Sequence, residues 1–132
     1  KTLQRFGPYS LQAHREVKKL ADKIKQLLPA GKVIAVHNNQ SYSFKDYLPQ
    51  HPLAKDAQAL NFPDKSHYRN FYIATQKTDF FRLKELSFNS VLQARSPTDD
   101  GSLSVYLAHQ EYINVEAGYD QFSAQMNMLK YA

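Results

Sequence analysis

The hydrophobic pattern opens with a helical repeat that leads directly into a buried strand. Apolar residues recur at helical spacing up to Leu28, after Ser10, which is typical of a helix N-cap. Pro29-Ala30-Gly31 ends that pattern, and Val33-Ile34-Ala35-Val36 follows as a short aliphatic run, typical of a strand buried on both faces. A helix over residues 10–28 joined to a strand over residues 33–36 favours an α/β fold over an all-β fold.

The rest of the pattern predicts four more strands and two more helices. Apolar and alternating runs predict strands at residues 71–75, 90–93, 103–107 and 112–117, and helical spacing predicts helices at residues 79–86 and 120–129. Residues 39–66 are polar, aromatic and proline-punctuated, which predicts a long ordered loop with a short helix around residues 53–60. We therefore expect one α/β domain over residues 1–132, with a mostly parallel or mixed sheet flanked by helices.

The composition of the chain excludes some classes of function but does not identify one. The 132 residues carry a formal net charge of +5, no cysteine and 42% hydrophobic residues, as in an ordinary globular chain. The absence of cysteine excludes disulfides and thiolate chemistry, and no apolar run is long enough to span a membrane. The chain begins at Lys1, as a processed chain or a fragment would.

The first candidate site lies where the first strand ends. The aliphatic run stops at His37-Asn38-Asn39, and ligands collect outside the carboxyl ends of strands in open α/β sheets. The alternative is a hydrogen-bonded histidine at a strand end, followed by a turn that the two asparagines begin.

A second candidate lies in the last predicted strand. Strand alternation places Tyr112, Asn114 and Glu116 on one face of residues 112–117. A carboxylate on a buried strand is costly unless it is paired, coordinated or used in catalysis. Glu116 is therefore either an ion-pair partner at the sheet rim or part of a site shared with His37. A neutral imidazole suits zinc, and a carboxylate beside it suits a general base.

These residues resemble part of a known enzyme class. A helix–strand unit ending in His37-Asn38-Asn39 and a late strand ending in Asn114-Val115-Glu116-Ala117 resemble the C-terminal half of zinc carboxypeptidase-like hydrolases, including the succinylglutamate desuccinylase/aspartoacylase type. The resemblance implies a zinc-dependent amide or peptide hydrolase with His37 as a metal ligand and Glu116 as the general base. It also implies a peptide or an acylated small molecule as substrate.

The resemblance covers half of the family's site. The chain has no H-x-x-E motif, which supplies two zinc ligands in that family, and it lacks the arginines that clamp a substrate carboxylate. We therefore expect an N-terminal half of the same protein to supply them. The chain is also similar to a bacterial family that shares the stretches 35–39, 91–93, 99–106 and 114–117.

A second metallohydrolase class fits the same two residues. Zinc N-acetylmuramoyl-L-alanine amidases have a strand ending in His-x-Asn and a late Val-Glu-x-Gly, which Val115-Glu116-Ala117-Gly118 resembles. This alternative implies a cell-wall substrate, and with it a periplasmic or secreted location is favoured.

Other polar residues are predicted to contact substrate, with turn chemistry or packing as their alternative role. They are Asn38, Asn39, Gln93, Asp100, Ser102 and Tyr106. Pro97-Thr98-Asp99-Asp100-Gly101 is the strongest turn signal in the chain.

Two non-hydrolase hypotheses stay open. Basic residues of the first helix, with the aromatic and cationic residues 68–72, suit a single-stranded nucleic-acid-binding module, but no RNP, KH or helix-turn-helix signature occurs. We expect Arg15, Lys18, Lys19 and Lys23 to form a solvated face, so nucleic acid is not an expected partner. The other hypothesis is a non-catalytic fragment that has kept the fold without the metal.

Overall fold

The computed structural model of the chain describes Gln4 and residues 7–132. The chain divides into two compact units, residues 1–31 and residues 32–132. The predicted domain also includes residues 1–3, 5 and 6, which lie outside the described residues.

The first unit contains helix α1, Leu11–Leu27. Ser10 caps it, since its hydroxyl accepts a hydrogen bond from the Ala13 amide at 3.1 Å. Lys18 pairs with Asp22 at 2.5 Å one turn further along, and Lys19 pairs with Glu16 at 2.8 Å. The predicted helix over residues 10–28 therefore forms, with its ends one residue inside the predicted ones.

The second unit is a mixed five-stranded sheet with helices. The strands are β1 (Val33–Asn39), β2 (Ala57–Asn61), β3 (Phe71–Ala74), β4 (Ser90–Gln93) and β5 (Tyr112–Gly118), in the order β1-β5-β3-β4-β2. β1 pairs with β5 and β3 with β4 in parallel, whereas β5 runs antiparallel to β3 and β4 antiparallel to β2. The remaining helices are α2 (Lys77–Glu85), α3 (Leu103–Tyr106) and α4 (Phe122–Leu129). The predicted α/β class with a mixed sheet is confirmed.

The two faces of the sheet are covered differently. One face packs against α2 and α4, through a cluster that includes Tyr72, Leu83, Ile113, Val115 and Met128. The other face carries an aromatic cluster from the segment between β1 and β2, in which Phe44 and Tyr47 pack around Phe71. The candidate site lies on this second face.

Two predicted elements are wrong. Residues 103–107 were expected to form a strand, but α3 occupies them, and its backbone bonds run from Tyr106 N to Ser102 O and from Leu107 N to Leu103 O. The strands that α3 contacts, β5 and β4, already have a partner on both sides, so an alternating segment there finds no edge of these strands to join. The predicted helix around residues 53–60 is instead a short 3₁₀ turn, Ala54–Asp56, followed by strand β2. Ala, Lys, Gln and Leu favour helix, but antiparallel pairing with β4 overrides that preference.

None of the helices in the described part of the chain combines the length and the apolar character that crossing a bilayer requires.

Candidate active site

The site is a cavity of about 400 Å³ on the aromatic face of the sheet. Its floor is made by side chains that alternate along two adjacent strands, with Ala35 and His37 on β1 and Tyr112, Asn114 and Glu116 on β5. Its walls come from the segment between β1 and β2 and from α3 with the turn before it. A cavity of this size suits a small molecule or a short peptide segment.

The parallel pairing of β1 and β5 brings the two candidate catalytic residues together. His37 and Glu116 are directly opposite each other in the register, and adjacent strands lie about 4.8 Å apart. His37 lies two residues after Ala35 on β1, and Glu116 lies two residues after Asn114 on β5. Side chains two residues apart on a strand point to the same face, so both side chains lie on the aromatic face. His37 Nδ1 lies 3.4 Å from Glu116 Oε1. One cleft therefore holds both side chains.

Asn114 fixes the orientation of the imidazole. Its side-chain nitrogen donates to Glu116 Oε1 at 2.9 Å, so its oxygen is the atom that lies 2.8 Å from His37 Nδ1. An amide oxygen only accepts, so His37 Nδ1 carries the hydrogen. The lone pair of a neutral His37 is then on Nε2, the nitrogen through which histidine commonly binds metals.

Glu116 is buried and held at both carboxylate oxygens. Its side chain is 6% exposed, whereas that of His37 is 55% exposed. Asn39 Nδ2 donates to Glu116 Oε2 at 3.1 Å and also to the Arg69 carbonyl at 3.2 Å. Two amide donors therefore stabilise a buried carboxylate without a Lys or Arg partner among the described residues.

Two tyrosines form a hydroxyl pair in the wall of the cleft. Tyr42 and Tyr47 are hydrogen-bonded through their hydroxyl groups. Burial, with Tyr47 next, raises the pKa of Tyr42 well above its usual range, and burial also raises the pKa of Tyr47 to about 12. Both hydroxyls thus stay protonated at neutral pH. Their mutual bond uses one of the two hydrogens, so the other is available to an acceptor in the cleft.

The fit of this site to zinc is partial. His37 offers one nitrogen ligand of the right kind. Across Gln4 and residues 7–132, no three His, Cys, Asp or Glu side chains converge in a way that could hold a metal ion. A zinc ion bound at His37 would therefore take further ligands from outside this set of residues.

The structure brings some of the predicted substrate-binding residues to the cleft and not others. Gln93, Asp100 and Ser102 line the cavity. Asn39 instead donates a hydrogen bond to Glu116 and so holds the carboxylate in place. Asn38 is exposed and out of phase with His37, so strand alternation places it on the opposite face. Tyr106 is 50% exposed and is not part of the cavity lining.

Several cleft residues were not predicted as site residues. The phase of β5 already placed Tyr112 and Asn114 on the same face as Glu116, and that signal identifies them. Tyr47 and Asp56 come from the segment predicted as a long loop, and no local pattern marks them as cleft residues.

Comparison with known proteins yields no match: no protein-family model, no curated protein and no solved structure is significantly similar to the chain.

Proposed function

We propose that the cleft is the hydrolytic part of a zinc-dependent amide or peptide hydrolase of the carboxypeptidase-like type. In this proposal His37 is a metal ligand through Nε2, and Glu116 is the general base. The observation that supports it is the chain of contacts His37–Asn114–Glu116, which leaves Nε2 of a neutral His37 unprotonated and holds a buried carboxylate 3.4 Å from Nδ1 of the same ring.

The attacking water has to reach Glu116 from the Nε2 side of His37, because Nδ1 is the ring nitrogen that lies 3.4 Å from Glu116 Oε1. When bound, zinc would polarise the scissile carbonyl and make its bound water more acidic. Glu116 would take a proton from that water, and Asn39 and Asn114 would hold the carboxylate in place as it does so. The hydroxyl of the Tyr42–Tyr47 pair whose hydrogen is not used in their mutual bond is a candidate donor to the carbonyl oxygen of the substrate.

A carboxypeptidase-like hydrolase also has to recognise the free carboxylate of its substrate. A free substrate carboxylate needs a cationic partner, and the cavity lining among the described residues contains no Lys or Arg. Recognition of such a carboxylate, like the missing zinc ligands, would fall to residues outside Gln4 and 7–132.

Zinc binding to this chain tests the metal-ligand part directly. We would titrate zinc into the protein and follow the imidazole nitrogens of its five histidines by long-range ¹H–¹⁵N NMR. The expected result is a zinc-dependent shift at His37 Nε2, with a zinc affinity that falls in H37A and is kept in N38A, a control on the opposite face of the same strand. A response confined to other histidines would contradict the proposal.

Turnover tests the general base in the protein together with its remaining zinc ligands. E116Q should keep zinc and lower hydrolysis of peptide amides by about 10²-fold or more, because it removes the group that accepts the proton. E111Q, an exposed glutamate just before β5, is the matched control. Thermal melting of both variants shows whether a loss of activity reflects loss of fold, and full activity of folded E116Q would refute the role of Glu116.

A further inference from the structure

The end of the cleft at the start of β5 has its own set of polar groups, within electrostatic reach of Glu116, whose charge adds to the effect of burial in raising the pKa of Tyr112. Tyr112 lies four residues before Glu116 on β5, which corresponds to about 13 Å along a strand. Ala74 pairs with both Ile113 and Leu92, so the next positions, Tyr112 and Gln93, lie at the same end of the sheet. Gln93 Nε2 also donates to the Ser104 carbonyl at 2.9 Å and so connects this end to α3.

Tyr112 presents an unpartnered hydroxyl to this end. Its ring is buried, with 1% of the residue exposed, and its hydroxyl has no hydrogen-bond partner among the described residues. The described side-chain atoms that are sealed from solvent without a partner are Asn39 Oδ1 and Ser90 Oγ. The Tyr112 hydroxyl is not one of them, and Tyr112 lines the cavity, so the hydroxyl opens into it. Because burial raises the pKa of Tyr112 to about 12, it is a fixed donor at neutral pH.

Gln93 is the second such group. The residue is 7% exposed, and while its nitrogen is used by Ser104, its side-chain oxygen has no partner among the described residues. This oxygen is an acceptor in the same part of the cavity as the Tyr112 donor. A ligand with both a donor and an acceptor would satisfy the pair.

The charge of the lining is opposite to that of the chain. Asp56, Asp100 and Glu116 line the cavity without any Lys or Arg among the described residues, although the chain carries a formal charge of +5. Asp56 Oδ1 accepts from Thr98, and Asp100 Oδ1 accepts from the Ser102 amide. The Oδ2 atoms of both aspartates have no hydrogen-bond or ion-pair partner in the described part of the chain. Such a site attracts cations and repels anions.

We propose that this end of the cleft, formed by Tyr112, Gln93, Asp56 and Asp100, is a subsite for a protonated amine of a peptide substrate. The ammonium donates to the aspartate Oδ2 atoms and to Gln93 Oε1, and the Tyr112 hydroxyl donates to a neighbouring peptide carbonyl. The amine belongs to a basic side chain or to a free amino terminus. This inference rests on the proposed amide hydrolase, because it names the substrate class of that site.

Binding of matched peptide amides tests the subsite without requiring turnover. The probes are Ac-Lys-Ala-Ala-NH₂, its neutral norleucine and anionic glutamate counterparts, and Nle-Ala-Ala-NH₂ with a free amino terminus. Dissociation constants come from ¹H–¹⁵N NMR titration of the chain. We expect one of the two cationic probes to bind about tenfold more tightly than the neutral acetylated norleucine peptide, which corresponds to about 1.4 kcal/mol. The cationic probe that binds more tightly identifies the source of the amine.

Paired variants locate the effect. D100N keeps the size of the side chain and an oxygen for the Ser102 amide, but it should remove most of the preference for the cationic probe. D99N makes the same charge change in the same turn, where Asp99 Oδ1 accepts from the Gly101 amide and does not line the cavity, so it should keep the preference. Y112F should weaken cationic and neutral probes alike, and Y119F, at an exposed tyrosine, should not.

The outcomes separate this inference from the proposed function. No binding by any probe, equal binding of the neutral or anionic probe, or equal effects of D99N and D100N would overturn the subsite. Charge-selective binding without hydrolysis by the zinc-loaded protein together with its remaining zinc ligands would leave the subsite in place and refute the hydrolase. Hydrolysis without charge selectivity would do the reverse.

Discussion

His37 Nδ1 lies 2.8 Å from the side-chain oxygen of Asn114, on the neighbouring parallel strand. Asn114 also donates to Glu116, so one amide both sets the imidazole tautomer and holds the carboxylate. The metal-ligand and general-base roles proposed for His37 and Glu116 therefore depend on a residue that performs neither.

The first prediction concerns this positioning role. N114L removes both hydrogen bonds, so the Nδ1–H tautomer of His37 should lose its preference, and zinc affinity at His37 should fall by about 10–100-fold. Long-range ¹H–¹⁵N NMR reads the tautomer directly, and N38L on the opposite face serves as control. If His37 of the wild-type protein carries its hydrogen on Nε2, the positioning role assigned to Asn114 is refuted.

The second prediction concerns the buried carboxylate. N39D places a second carboxylate against Glu116, and two like charges in a buried site cannot both ionise cheaply. We expect a loss of about 3 kcal/mol in the free energy of unfolding at neutral pH. Since the new pair binds a proton more readily in the folded state, part of that loss should be recovered as the pH falls towards 5.

Denaturant melts of N39D and N38D at both pH values measure this effect. Asn38 is exposed, so N38D should change stability by less than about 0.5 kcal/mol. A loss for N39D that does not depend on pH would show that packing, and not charge, limits this position.

The hydrophobic pattern predicts the part of the fold that depends on local sequence. β1 begins with a short aliphatic run and β5 alternates along its length, and the phase of β5 alone places Asn114 and Glu116 on one face of their strand. That both strands are parallel and adjacent, so that His37 is opposite Glu116, is a tertiary fact. The sequence suggested a shared site but carried no local signal for this register.

The incorrect predictions share one physical cause. β2 contains alanine, glutamine and asparagine, which individually disfavour strand, yet pairing with β4 stabilises it. Residues 103–106 alternate like a strand but become α3, because the edges of β4 and β5 are taken. The wall of the cleft was unpredictable for the same reason, since Tyr47 and Asp56 reach it through tertiary packing alone.

The third prediction concerns the aromatic cluster that supports the cleft. Phe71 is fully buried and contacts the rings of Tyr42, Phe44 and Tyr47. F71A should lower the free energy of unfolding by about 3–5 kcal/mol, because it removes buried area and leaves a cavity. F81A, at a phenylalanine that is 52% exposed on α2, should cost much less, and equal losses in urea melts would contradict the central position of Phe71.

The last prediction concerns high pH. Burial, as the main cause, raises the pKa of both Tyr47 and Tyr112 to about 12, whereas an unfolded tyrosine has a pKa of about 10. The folded state thus keeps protons that the unfolded state has already lost. The stability contributed by these groups is complete below pH 10 or so and is lost as the pH rises towards about 12.

Each tyrosine should lower the free energy of unfolding by up to about 1.4 kcal/mol per pH unit in this window. Denaturant melts between those limits measure how the free energy of unfolding changes with pH. Y47F should reduce this slope by the amount that corresponds to about one bound proton. Y119F is the control, because Tyr119 is 56% exposed. A slope that is the same in Y47F and in wild type would show that the Tyr47 hydroxyl ionises as readily in the folded protein as in the unfolded chain, and would place it in contact with solvent and not inside the wall of the cleft.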